Sequence, residues 1–562
     1  MKKNRFITAV RFYQLPEIII TGIILFLLRD LIFHLILYIT NIPMKDKLYN
    51  LTKYAIYIGI LYTWITTSFK ILRSRRYNWL TGRSYDSDHT NFNKSYTWLV
   101  NFFNNNDRYK MVVDSLPIED WHNADGIILC KYKDKAGDYH LVKRDSSANG
   151  NLISFGLPGS GKSTTQAATS FQRFNSSLKP GGCGVFAISI KGDLLNFVKN
   201  ERKNIKVFTP DKAEGSYHYD PLAGVSKMNL TERRSFIENM SIIICPDEPG
   251  ENSNYFVGGA RDYFCAIGLY LLYLHDTGER EGELKFPEIV DTILATNAFD
   301  TTLEIKNSEC SIAAEYSNSY EGSNEKNVAG IWNHLCKCIR PFNSGALKVL
   351  FDGREKCISP EDLNYGDIVI DVPQDKYSIY APAMAIIVTN FLMSFMRRND
   401  VSSNQKEVPI LFLLDEAVQL NLDFNILSQA MSTLRSKKVS LFLLMQSIAQ
   451  LEGRYGESHA REIMDLCAYI SVFNAQDPKS RQYFQELVGR RKILKRSTSL
   501  SKTANKNDTA GITVSDEEEY IFDAADFGDL NVHSKKTGKI IKYQVLVYAN
   551  GKYILGETTP CF

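Results

Sequence analysis

The run Gly156-Leu157-Pro158-Gly159-Ser160-Gly161-Lys162-Ser163-Thr164 sets small residues, one lysine and three hydroxyls between an apolar stretch and a helix-compatible one. Glycines at 156 and 161 allow the backbone to curl so that its amides point inward at the start of a helix, which suits phosphate oxygens. In that geometry Lys162 reaches the β- and γ-phosphates and Ser163 ligates magnesium. All nine residues are candidates for holding ATP, with Mg2+ as the accompanying ion. The alternative is a structural glycine turn. A short strand before it and the run Ser163 to Phe174 after it favour the nucleotide.

A second segment, VPILFLLDEAVQL (408–420), carries Asp415 and Glu416 to the C-terminal end of an apolar strand. Ligands of open α/β sheets sit at that end. Asp415 is expected to bind magnesium, directly or through water. Glu416 is expected to polarise an attacking water, which makes hydrolysis the reaction. A third apolar strand, SLFLLMQ, ends at Gln446, either a γ-phosphate sensor or a capping or core amide. Arg435 precedes that strand. Its two readings are a solvated cation at a helix end and an arginine finger reaching a neighbouring subunit. Lys162, Glu416, Gln446 and Arg435 are the candidate catalytic residues.

These residues need a scaffold that brings strand ends together. From residue 126 onward apolar strands alternate with helical stretches: GIILCKY and YHLVKR before the glycine loop, GVFAISI and IKVFTP after it, then DIVIDVP, VPILFLLD, SLFLLMQ and YISVFN. Near-continuous apolar strands between helices imply an α/β fold with a parallel sheet covered on both faces. Residues 229–345 break the alternation with helical runs such as 255–275. The expected layout is a nucleotide-binding domain over 126–225 and 346–562, interrupted by an all-α insertion at 226–345, with 77–125 as a linker region. Residues 495–518 are polar and read as a mobile loop.

The N-terminal 76 residues differ in character. Residues 17–39 and 54–72 are each long enough to cross a bilayer. The first is interrupted by Arg29, Asp30 and His34, so a surface-lying amphipathic helix is its alternative. Basic residues before the first stretch and after the second place both ends in the cytoplasm. The expectation is a two-helix transmembrane anchor, with the main domain cytoplasmic. A net charge of +3, from 66 Lys and Arg against 63 Asp and Glu, gives no global field for nucleic acid. Only local runs, 489–497 and 435–438, offer a basic track, and either reads equally as a solvated face. The ten cysteines lack Cys-x-x-Cys spacing and read as free thiols.

At these residues the chain resembles the type IV coupling proteins, the VirD4/TraG/TraD group of conjugative ATPases. ISIKGDLLNFV (188–198), YDPLAG (219–224), LLDEAVQL and, most specifically, residues 445–491 carry the likeness. It implies a membrane-anchored, RecA-like P-loop ATPase that forms a homo-hexamer. Such a protein receives a relaxase bound to single-stranded DNA, or a protein substrate, and passes it to a type IV secretion channel. The resemblance makes Gln446 a sensor and Arg435 a finger. One position departs: Ser189 stands where the family has aspartate, with Ile190 for proline. Two other functions compete, an FtsK-like double-stranded DNA translocase and a membrane recruitment platform with little ATP turnover.

Overall fold

The computed structural model describes isolated positions between 19 and 34, and residues 47–73, 115–117, 124–133, 138–146, 150–190, 192–247, 253–318, 320, 322–354, 356–400, 407–501, 509–534 and 537–559. The chain divides into two compact units, residues 1–109 with 490–519, and residues 110–489 with 520–562.

The larger unit is built on one mixed sheet. Its strands are β1 (Ser115–Pro117), β2 (Ile127–Lys133), β3 (Tyr139–Arg144), β4 (Asn151–Phe155), β5 (Val185–Ile190), β6 (Ile205–Phe208), β7 (Asp367–Val372), β8 (Ile410–Leu414), β9 (Val439–Met445) and β10 (Cys467–Val472). After a separate ribbon, β11 (Arg490–Ser501) and β12 (Thr509–Tyr520), come β13 (Val532–His533), β14 (Ile540–Ala549) and β15 (Lys552–Thr558). The spatial order is β1-β3-β2-β15-β14-β10-β4-β9-β8-β5-β7-β6. From β10 to β6 every pairing is parallel. From β1 to the β14–β10 junction every pairing is antiparallel.

Side-chain alternation explains why the parallel strands are apolar throughout. On β8, Ile410, Phe412 and Leu414 enter one core while Leu411 and Leu413 enter the other. Period-two geometry puts neighbours on opposite faces, and helices cover both. One face carries the helix Tyr377–Met396, the most apolar long helix among the described residues and mostly buried here. The other carries Ala168, Phe171, Leu194 and Val198. Between β6 and β7 the described chain forms no strand. Helices Leu230–Ile244, Ser311–Asn318 and Glu325–Ile339 pack around Ser253–Asp276.

Three sequence expectations need revision. Residues 495–518 are not read correctly as a loop, because β11 and β12 pair there as a two-stranded ribbon. A ribbon outside the main sheet needs no apolar face, so its polar composition concealed it. The hairpin β14–β15 was missed although its turn, Asn550-Gly551, has φ of 50° and 73°. Asn-Gly between apolar strands is the strongest short hairpin signal. The 77–125 linker contains β1, and most of the rest lies outside the described residues. In the smaller unit, the 54–72 stretch lies within a continuous helix, Lys47–Arg73. Most of the 17–39 stretch is outside the described residues.

Candidate nucleotide site

The glycine loop leaves β4 at its C-terminal end, in the middle of the parallel sheet. Gly156 N–H donates to the Met445 carbonyl at the end of β9 at 3.1 Å, and Leu157 N–H to Asn474 Oδ1 beyond β10 at 2.8 Å. A Cβ on Gly156 would stand 2.5 Å from Ser160 Oγ, and one on Gly161 (φ 105°) 2.6 Å from the Tyr543 ring. Both glycines are required by close approach, and the second by its backbone as well. The helix then opens as a π-turn, Lys162–Ala167, and continues as Ala168–Arg173. π-Turns of this kind favour functional sites. Gln166 anchors it, accepting from Ser154 Oγ at 3.0 Å and donating to Leu129 O at 2.9 Å and Ser471 Oγ at 3.0 Å.

Four predicted residues meet Lys162 around a cleft of about 310 Å³: Ser163, Asp415, Glu416 and Gln446. Leu157, Pro158, Gly159, Gly161 and Thr164 line it too, with Ile190, Leu194, Gln374, Tyr377 and Gln419. Gly156 and Ser160 do not line the cleft. Ser160 Oγ is buried with no hydrogen-bond partner among the described residues. The Lys162 ammonium donates to the Gly156 carbonyl and, at 3.3 Å, to that of Leu157. Burial pulls its pKa below the usual lysine range, against Glu416 and Asp415. Ser163 Oγ donates to Asp415 Oδ2 at 3.4 Å. Burial, then repulsion from Glu416, pushes the Asp415 carboxyl up to about 6 against the pull of Lys162.

Glu416 sits at φ 48°, ψ 46°, a left-handed conformation that costs a non-glycine residue about 1–2 kcal/mol. The strained turn aims its carboxylate at Gln446, whose Nε2 donates to Glu416 Oε1 at 2.9 Å. Tyr377 backs the pair: its hydroxyl donates to the Asp415 carbonyl at 3.3 Å. Burial, with both carboxylates adding, holds that phenol far above its ordinary pKa. The arrangement combines an anion cradle, a cation, a hydroxyl–carboxylate pair and a second carboxylate held by an amide. Sequence reasoning missed Asn474, Tyr377 and Tyr543, which come from β10, the helix after β7 and β14. Only the fold brings them to the loop.

Comparisons with known proteins bear on the fold that carries this geometry. Residues 409–531, from β8 through the Gln446 region and beyond, match the family model described as the TraM recognition site of TraD and TraG. Protein VirD4 of Rhizobium rhizogenes is 23% identical over 344 residues, which is 57% of this chain and 47% of that protein. The match spans about half the length of that curated relative. The unbound bacterial conjugative coupling protein TrwB superposes with a TM-score of 0.56 at 14% identity, covering 81% of this chain and 94% of that one. The chain is similar to the type IV coupling proteins, most specifically over residues 409–531. TrwB in complex with ADP and Mg2+ gives a TM-score of 0.56 at 14% identity, covering 81% of this chain and 95% of that one. Its complex with the ATP analogue ADPNP gives 0.55 at 13%, with the same coverage. At these identities the likeness to TrwB establishes the fold.

One predicted residue stands apart from the site. Arg435 is exposed, in the turn Leu434–Lys437 that enters β9 at its N-terminal end. The seven residues of β9 separate it from Gln446 by ~23 Å. It does not join its own subunit's site. Ser189, at the departure from the family pattern, is fully buried near the end of β5, and its Oγ has no partner among the described residues. Its register partner on β7 is Asp371.

Proposed function

We propose that this chain is a type IV coupling protein, a membrane-anchored ATP hydrolase of bacterial conjugation. It recruits a relaxase–single-stranded DNA complex, or a protein substrate, and drives it into a type IV secretion channel. The observation that carries this reading is the convergence of Lys162, Ser163, Asp415, Glu416 and Gln446 on one edge of a coupling-protein sheet. TrwB complexes with ADPNP and with ADP and Mg2+ support ATP and Mg2+ as ligands. The donor set fits the ion: a serine hydroxyl and a carboxylate oxygen 3.4 Å apart are hard oxygen donors, and phosphates and water supply the rest. Bound there, magnesium neutralises charge on the β- and γ-oxygens. Lys162 holds the same phosphates, Glu416 takes the proton of the attacking water, and Gln446 positions that water.

Arg435 acts in trans in this account, as the finger of a neighbouring subunit in a homo-hexamer. Its distance from its own site is what that role requires. The membrane assignment rests on Lys47–Arg73, at ~1.5 Å per residue long enough to span a bilayer. It exposes Tyr54, Ile58, Leu61 and Tyr62, and Thr63 and Thr66 return their hydroxyls to carbonyls one turn earlier. With the 17–39 stretch it forms the inner-membrane hairpin, both ends cytoplasmic. We assign cargo reading to the helices of 226–345. A cavity of about 730 Å³ there is lined by Tyr263, Tyr320 and Trp332, with Phe299 and Leu303 exposed at its wall.

The test is ATP turnover by the full chain in lipid bilayers, alone, with single-stranded DNA and with duplex. Turnover raised most by single strands is expected. Stronger stimulation by duplex would favour the double-stranded DNA translocase. No turnover under any condition would leave a recruitment platform.

A further inference from the structure

Gln446 has a second partner that its role has so far not used. Its Oε1 accepts a hydrogen bond from Nε2 of Gln450 at 3.2 Å. Gln450 is exposed, one turn along the helix Ile448–Tyr455. Ser447 caps that helix by accepting from Gln450 N–H, so the helix start is fixed. The far end is fixed too: Tyr455 donates its hydroxyl to the Leu422 carbonyl at 3.0 Å, in the segment following Glu416. Gln450 therefore stands on a helix whose start is capped and whose end is tied to the segment after Glu416.

The order of donors along this chain follows from chemistry alone. An ionised carboxylate only accepts, so the face of the Gln446 amide toward Glu416 must be its NH2. Its carbonyl then faces residue 450, which must donate. An amide offers both ends, and rotation by half a turn would present its oxygen to the Glu416 carboxylate, where two acceptors repel. We propose that Gln450 is a positioning residue for ATP hydrolysis, which locks the Gln446 amide with its NH2 on Glu416 through a hydrogen bond to the amide oxygen. The inference rests on the hydrolytic role given above to Glu416 and Gln446.

Donor-only and acceptor-only side chains at position 450 separate this role from a structural one. Gln450→Lys keeps a donor, so kcat stays within about three-fold of wild type. Gln450→Glu offers only acceptors and favours the rotated amide, so kcat falls by roughly ten-fold or more, part of the ~10²–10⁴ that acid–base groups contribute. Gln450→Ala falls between, because water can donate in place of the side chain. Affinity for ADPNP with Mg2+, measured by titration of the full chain, should stay within about two-fold in all three, since position 450 does not line the phosphate cleft. Equal kcat for Gln450→Lys and Gln450→Glu, beside normal wild-type turnover, would overturn the positioning role and leave the hydrolytic assignment standing. A parallel loss of ADPNP affinity and kcat in Gln450→Glu would overturn it as well. Wild-type protein with no turnover at all would sink the hydrolytic assignment, and this inference with it.

Discussion

The two ends of the same parallel strands are built on opposite principles. At the N-terminal ends, several buried polar groups are tied together by hydrogen bonds. Arg202 and Asp367 form a buried two-pronged ion pair, with bonds of 2.9 and 2.7 Å, and Asp367 also accepts from Val185 N–H. Asn151 donates to the Met431 and Leu466 carbonyls and accepts from Leu441 N–H, tying β4 to β9 and to the turn before β10. Asn175 donates to the Cys183 and Pro409 carbonyls just before β5 and β8. At the C-terminal ends, Ser160 Oγ and Ser189 Oγ lack hydrogen-bond partners among the described residues, Glu416 is strained, and Asp415 and Lys162 carry shifted pKa values. One edge ties strands together and the other carries the candidate site, and local rules give way where a site is expected.

Substitutions at the two edges should therefore fail in different assays. Lys162→Ala should cut ATP turnover by ~10³-fold or more, as expected for losing a charge clamp on transferred phosphate. It should leave thermal stability unchanged or slightly higher, because a buried cation is removed. Arg202→Ala should do the reverse. It strands Asp367 without its partner and lowers unfolding free energy by ~3–5 kcal/mol, read from urea titration, while the folded fraction binds nucleotide normally. A loss of nucleotide affinity in folded Arg202→Ala would break the division between the edges.

The pH dependence sharpens it. Asp415 titrates near 6 when folded, above its ordinary value of ~3.9. Its protonation thus adds stability to the nucleotide-free protein as pH falls from about 6 toward about 4, and that contribution is lost as pH rises through about 6. Magnesium-nucleotide affinity runs the other way, because only the ionised carboxylate holds the ion. It should weaken below about pH 6, approaching ten-fold per unit, as calorimetry at stepped pH would show. The smallest effect on stability belongs to Arg435→Ala, within ~0.5 kcal/mol for an exposed side chain. Its effect on turnover should be rescued in part by mixing with Lys162→Ala subunits. No rescue at any ratio would count against action in trans.

This contrast also separates what the sequence made legible from what it did not. The edge of the candidate site could be read because its parts are local: a glycine loop with lysine and serine, and apolar strands ending in Asp-Glu or Gln. The parallel strands could be read from their apolar runs. The structural edge was illegible, since Arg202 and Asp367 are 165 residues apart and neither belongs to a local pattern. Tyr543 beneath Gly161 was hidden for the same reason. Arg435 was a different case. It precedes a strand whose end carries Gln446, so strand direction alone already put it at the far edge. The β11–β12 ribbon escaped because hydropathy reports burial, and a ribbon off the main sheet carries little of that signal.

The central claim, that the C-terminal edge hydrolyses ATP through Glu416, is tested most directly by single-turnover hydrolysis in Glu416→Gln with ADPNP affinity measured on the same sample. The account predicts affinity within about two-fold of wild type and a hydrolysis rate lower by ~10²-fold or more. Wild-type hydrolysis in that variant would contradict it.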